Sequence, residues 1–318
     1  MATQRPVGRG PRLGPWAQSS CPALVGGPGP GDIPWPMTAR VHLRTAGALE
    51  SLAASSVELV VTSPPYPMIP MWDESFARSG ATTFDQMHEQ LAHTWRALPR
   101  VLCPGGIAAI NIGDALRRVD GSFQLFENHA QVLVDCRKAG LTPLPYVLWK
   151  KPTNRANAFL GSGFNPPNAY VTLDCEYVLL FRNGRLRTSR PQEGVREASR
   201  FTKPERDLWF SQVWDGIRGT RQARSDIARR TGAFPLEVPA RLVRMFSLVG
   251  ETVLDPFCGT GTTLEAAGRL GRHGIGFEAE ESLAPILSKR LEHVAQCCSP
   301  HPYHWEVDPV RGGLSGNG

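Results

Sequence analysis

The chain of 318 residues carries 35 Lys or Arg against 29 Asp or Glu, a formal charge of +6, with 41% hydrophobic and 20% charged residues. That length and composition suffice for one large domain with a full core, with or without an insertion, and they exclude a disulfide-stapled mini-protein and a wholly disordered chain. No apolar run reaches the roughly 18 residues that span a bilayer, no signal-peptide pattern opens the chain, and seven scattered cysteines fit reduced thiols, so the sequence reads as cytoplasmic and without a membrane partner.

Residues 1–36 hold seven Gly and eight Pro, almost no acid and no aliphatic periodicity. Such a segment buries too little apolar surface to offset its ordering entropy and is expected to be a disordered leader, with Met37 a candidate translation start. The domain proper is expected over 37–298. Val57 to Val61 is a β-branched run stopped by Thr62-Ser63-Pro64-Pro65-Tyr66, which predicts a buried strand. Phe84, Met87, Leu91, Trp95, Leu98 and Leu102 recur at three- and four-residue spacing and predict an amphipathic helix ending near Pro104-Gly105-Gly106. Strands are predicted at Ile107 to Ile112, Tyr146 to Trp149 and Tyr177 to Phe181, with a helix from Phe123 to Ala139 between the first two.

Residues 182–232 differ in kind, carrying thirteen Lys or Arg against six Asp or Glu, a surplus larger than that of the whole chain. A solvated loop-rich excursion and a phosphate-facing surface anchored by Trp209, Phe210 and Trp214 both fit that pattern. Alternation then resumes with a helix at Val238 to Leu248, a strand at Thr252 to Leu254, a helix at Thr263 to Leu270, a strand at His273 to Phe277 and a last helix marked by Leu283, Ile286, Leu287, Leu291 and Val294. Residues 299–318 are expected to form a flexible tail. Alternating strands and helices predict an α/β fold with a mainly parallel sheet covered on both faces.

Two motifs carry chemistry. Asp255-Pro256-Phe257-Cys258-Gly259-Thr260-Gly261-Thr262-Thr263 lies between a strand and a helix, where glycines allow a tight turn and the helix N-terminus offers unpaired N–H groups. The next strand ends in Gly276-Phe277-Glu278, which places an acid to accept both ribose hydroxyls of a nucleoside cofactor. At the end of the first buried strand, the prolines of Ser63-Pro64-Pro65-Tyr66 hold the Ser63 hydroxyl and the Pro64 carbonyl toward one exocyclic amine, while Tyr66 offers a flat surface for a base.

Together these residues resemble the S-adenosylmethionine-dependent amino-group DNA methyltransferases of the β order, in which the Ser-Pro-Pro-Tyr motif comes first and the cofactor loop last. The likeness spans roughly residues 40 to 296. Arg100-Val101-Leu102, Pro104-Gly105-Gly106 and Asn111-Ile112-Gly113-Asp114 resemble the family's stretch after the catalytic loop, and Leu148-Trp149-Lys150-Lys151-Pro152 and Glu176-Tyr177 to Phe181 its next two strands. Gly232-Ala233-Phe234-Pro235 with Pro239 is similar to the motif that encloses the methionine part of the cofactor, although only Phe234 and Pro235 match. The family's upstream Gly-Asp is replaced by Ala46-Gly47-Ala48-Leu49, which leaves the adenine contact unassigned.

The resemblance implies a Rossmann-like methyltransferase with an inserted target-recognition region at 182–232, S-adenosyl-L-methionine as cofactor, double-stranded DNA as partner, and methyl transfer to an exocyclic amine after base flipping. Ser63, Pro64, Pro65 and Tyr66 are the implied catalytic residues. Phe234, Pro235, Asp255, Phe257, Cys258, Gly259, Thr260, Gly261, Thr262 and Glu278 are the implied cofactor contacts, and no metal is expected. Serine in the first motif position is associated with cytosine N4, and Asp or Asn there with adenine N6. Adenine N6 methylation is the alternative, and a non-catalytic nucleic-acid-binding protein of the same fold is the alternative from another class. A homodimer and a cognate restriction endonuclease are further candidate partners. Residues 67–83, with Trp72 and Asp73, fit either a mobile loop over the site or an ordinary surface loop.

Overall fold

The computed structural model of the chain describes residues 36–151, 171–188, 191–218, 234–298 and 302–308. Residues 1–35 of the expected leader, 219–232 of the basic insertion, and 299–301 and 309–318 of the expected tail lie outside the described residues, as do Pro152, Gly232 and Ala233 of the family-like strings. Eleven strands are described: β1 (Met37–His42), β2 (Val57–Thr62), β3 (Leu102–Ile112), β4 (Ala115–Val119), β5 (Ser122–Phe126), β6 (Thr142–Lys150), β7 (Cys175–Arg182), β8 (Val213–Trp214), β9 (Thr252–Asp255), β10 (His273–Phe277) and β11 (Tyr303–Asp308). The helices are α1 (Asp73–Ala77), α2 (Phe84–Val101), α3 (Asn128–Lys138), α4 (Glu193–Ala198), α5 (Lys203–Trp209), α6 (Glu237–Phe246), α7 (Thr262–Arg269) and α8 (Ala284–Cys298).

Nine strands form one sheet in the order β11-β1-β10-β9-β2-β3-β7-β6-β8. Every neighbouring pair is parallel except the two that involve β7. The central strands are apolar on both sides because both faces are covered. In β2, Val57 and Val60 enter the core cluster that contains Trp95, Leu98 and Val101 of α2, whereas Leu59 and Val61 enter the cluster that contains Val238, Leu242 and Val243 of α6. Helix α2 starts with a capping box: Gln86 N–H donates to Thr83 Oγ1 at 3.3 Å and Thr83 N–H donates to Gln86 Oε1 at 3.2 Å.

Two expectations need correction. The predicted helix from Phe123 begins only at Asn128, because residues 122–126 pair with 115–119 in a hairpin. Asp120 and Gly121, at φ +49° and +80°, form its two-residue turn, the Asp-Gly chemistry that matches the twist of paired strands. The expected tail contains β11, which pairs in parallel with the whole of β1 and closes that edge of the sheet. Its Tyr303 is buried with Leu287, Leu291 and Val294 of α8, an apolar anchor that the polar residues around it conceal in the sequence. Among the described residues, no helix is long and apolar enough to cross a membrane.

Candidate active site

The carboxyl ends of β2, β3, β6, β9 and β10 share one edge of the sheet, since all five run in the same direction. Strand β7 runs the other way, so its first residues reach that same edge. Ser63, Asn111, Lys151, Glu176, Asp255 and Glu278 are thereby gathered from six strand ends separated by up to 215 positions.

The turn after β9 has the expected form. Gly261 sits at φ +83°, and a Cβ there would come within 2.9 Å of the Leu287 side chain on α8, so both conformation and packing require glycine. A Cβ on Gly259 would meet nothing within 4 Å, which leaves the outer side of the turn open. The side chains of Cys258, Thr260 and Thr262 are buried, and α7 has no side-chain cap at its start, so the turn offers a ligand its backbone. Burial holds the Cys258 thiol well above its ordinary range, which keeps it protonated and inert. Phe257 is partly buried and meets Trp95 edge-on at 6.0 Å.

Asp255 does not face outward as expected. Its carboxylate accepts from Thr62 Oγ1 at 2.6 Å, Thr263 Oγ1 at 2.7 Å and Phe257 N–H at 3.1 Å, and it is 2% exposed. The acid therefore ties the last residue of β2 to the start of α7 and spends its oxygens inside the protein. Glu278 does stand beside the turn. One oxygen accepts from Gly259 N–H and the other from Glu280 N–H, both at 2.8 Å. Each oxygen keeps further lone pairs for hydroxyl donors. Burial raises the Glu278 carboxyl above its ordinary value, partly offset by those amides.

At the end of β2, Ser63 Oγ lies 3.0 Å from Tyr66 Oη. The phenol in turn donates to Glu176 Oε2 at 3.0 Å, and Asn111 Nδ2 donates to both Tyr66 Oη and Glu176 Oε2 at 2.7 Å. Lys151 pairs with the other Glu176 oxygen and rests 4.8 Å over the Trp149 ring. Burial pulls Lys151 down to about 8 and pushes the Tyr66 phenol far up. Sequence reading placed Asn111, Lys151 and Glu176 only within family-like strings. Their signal was a polar residue at the end of an apolar strand.

The loop after the motif is clamped by the buried Asn128 on α3, whose Nδ2 donates to the Pro67 and Gly113 carbonyls at 3.0 and 2.9 Å and whose Oδ1 lies 3.0 Å from His88 Nε2. Residues 67–83 are tied down as well. Arg117 of the hairpin pairs with Asp73 at 2.5 Å and donates to Met68 O at 2.5 Å, and Arg78 reaches Glu280 at 3.1 Å.

In the described part of the insertion, Trp209 and Trp214 are buried and act as anchors: Arg244 and Arg241 of α6 lie 5.1 Å over their rings. Arg187, Arg200, Lys203 and Arg206 are paired with acids, whereas Arg185, Arg196 and Arg218 stand exposed. Phe234 is buried in the cluster that holds Trp149, Trp214 and Val238, and Pro235 is partly exposed beside it.

A family described as DNA methylase matches residues 57–289. The Type II methyltransferase M.MjaI of Methanocaldococcus jannaschii is 49% identical over 269 residues, covering 77% of this chain and 88% of its own length. The Type II methyltransferase M.MthZI of Methanothermobacter thermautotrophicus is 38% identical, covering 80% of this chain and 76% of its own. Among solved structures, the DNA modification methylase TTHA0409 of Thermus thermophilus, crystallised with S-adenosyl-L-methionine, superposes with a TM-score of 0.68 at 34% identity, covering 85% of this chain and all of that one. The PvuII DNA methyltransferase, named as cytosine-N4-specific, shares the fold with a TM-score of 0.60 at 16% identity, covering 81% and 90%.

Proposed function

Since the chain belongs to the N6/N4 DNA methylase family and is a site-specific Type II DNA methyltransferase that uses S-adenosylmethionine, we propose that it methylates the N4 amine of cytosine in duplex DNA. When bound, the cofactor supplies an electrophilic methyl group on a sulfonium. The residues present fit it: Glu278 offers carboxylate oxygens to a ribose diol, and the open backbone of Gly259 to Thr262 offers N–H groups to a carboxylate. Phe234 and Pro235 remain candidates for enclosing its methionine part.

Ser63 carries the base assignment, because serine in the first motif position goes with cytosine N4. An exocyclic amine conjugated to its ring is a poor nucleophile, and hydrogen bonds from it to the Ser63 hydroxyl and the Pro64 carbonyl would hold it in line for transfer. The base must first leave the stack, and the Tyr66 ring is where it would rest. The exposed cations of the insertion would hold phosphates. A cognate restriction endonuclease that cuts the unmethylated sequence belongs to the same reading.

Incubation with duplex DNA and methyl-labelled S-adenosylmethionine, followed by nucleoside mass spectrometry, tests it. Labelled N4-methylcytosine is expected, with at least a roughly 100-fold loss of rate in Ser63→Ala. Labelled N6-methyladenine would overturn the base assignment.

A further inference from the structure

Methylation leaves the target amine with a proton to lose, and a serine hydroxyl on its own is too weak a base to take it. No His or carboxylate neighbours Ser63 in sequence, but the fold brings one from 113 positions away. We propose that Ser63, Tyr66 and Glu176 form a proton relay in which Glu176 is the final acceptor of the proton that the methylated amine releases.

The hydrogen-bond pattern fixes the direction of travel. An ionised carboxylate can only accept, so Asn111 must turn its amide nitrogen, not its oxygen, toward Glu176, and the same nitrogen donates to Tyr66 Oη. With that donor against it, the phenol points its single proton at Glu176, 3.0 Å away. Ser63 must then be the donor in its 3.0 Å contact with Tyr66, which leaves the Ser63 lone pairs facing the amine. As the N–CH3 bond forms and the S–CH3 bond breaks, the amine N–H proton passes to Ser63 Oγ. The Ser63 proton passes to Tyr66 Oη and the Tyr66 proton to Glu176, which ends as the neutral acid and later releases its proton to water. No oxidant or further reactant is needed.

Two further observations support the relay. Gly113 lies where a Cβ would come within 3.1 Å of the Tyr66 ring and 3.2 Å of Glu176 Cγ, so the lack of a side chain there permits their approach. Lys151 holds Glu176 ionised before transfer, at a site otherwise shielded from water.

The proposal rests on transfer to an exocyclic amine. Single-turnover methyl transfer is measured with wild-type protein, Tyr66→Phe, Glu176→Gln and the double variant, alongside equilibrium binding of DNA and S-adenosylmethionine. Tyr66→Phe keeps the ring and removes only the bridging hydroxyl, so it remains informative even if Glu176→Gln impairs folding. Each single variant is expected to slow transfer about 100-fold while both affinities stay within about twofold, and the double variant to be no slower than the worse single one. A Tyr66→Phe rate within about twofold of wild type, or multiplying losses in the double variant, would overturn the relay. If wild-type protein methylated anything but an amine, both the relay and the reading beneath it would fall. An amine product with an undiminished Tyr66→Phe rate would remove the relay alone.

Discussion

Asp255 shows how one side chain can couple two motifs without touching a ligand. The last residue of β2 and the first turn of α7 donate to the same buried carboxylate, so the positions of Ser63 and of the glycine turn depend on each other. Burial raises this acid to about 6. The folded protein therefore keeps its proton up to about pH 6, whereas the unfolded chain releases it near its ordinary value, close to about 4. The resulting stabilisation is fully present below about pH 4 and is lost as pH rises through about 6. Asp255→Asn cannot ionise and should lose that decline. Urea midpoints compared between about pH 4 and about pH 7 should shift in favour of the variant by about 2–3 kcal/mol. Glu278 sits at the mouth of the turn, and Glu278→Ala should weaken S-adenosylmethionine binding by about tenfold or more, read by calorimetry, with little effect on DNA affinity. The sequence placed both acids at the correct edge. It could not assign them opposite roles, because exposure is set by what packs across the strand ends.

At the level of elements, the catalytic loop owes its shape to α3. Asn128 satisfies two carbonyls of different loops and also meets His88, so Asn128→Ala should leave buried acceptors unpaired, cost about 2 kcal/mol in chemical unfolding and lower the transfer rate. Strands β2, β9 and β10 and helices α2, α6 and α7 were legible because long apolar periodicity and glycine turns are local signals. The β4–β5 hairpin was missed, although its Asp-Gly turn is also local, because its strands are polar and short. Strand β11 carried no such signal, since its pairing with β1 is made across more than 260 positions. Truncation before residue 302 should expose the β1 edge and lower the thermal midpoint by several degrees.

For the whole molecule, the charge surplus of the insertion overstates what it can offer DNA, since much of its described part is paired with the protein's own acids. The exposed Arg185, Arg196 and Arg218 should matter most. Their joint replacement by Ala is expected to weaken DNA binding and to flatten the plot of log affinity against log salt by up to roughly one unit per lost phosphate contact. Motif chemistry and chain order by themselves determined the fold class, the methyl donor and the family, because glycine turns, frozen prolines and strand-end acids are written in consecutive residues. Only the tertiary structure decided that Asp255 is internal, that the tail closes a sheet edge, and that Asn111, Lys151 and Glu176 meet around Tyr66. These contacts depend on the reversed direction of β7 and on pairings between distant segments, and no periodicity or local spacing encodes them.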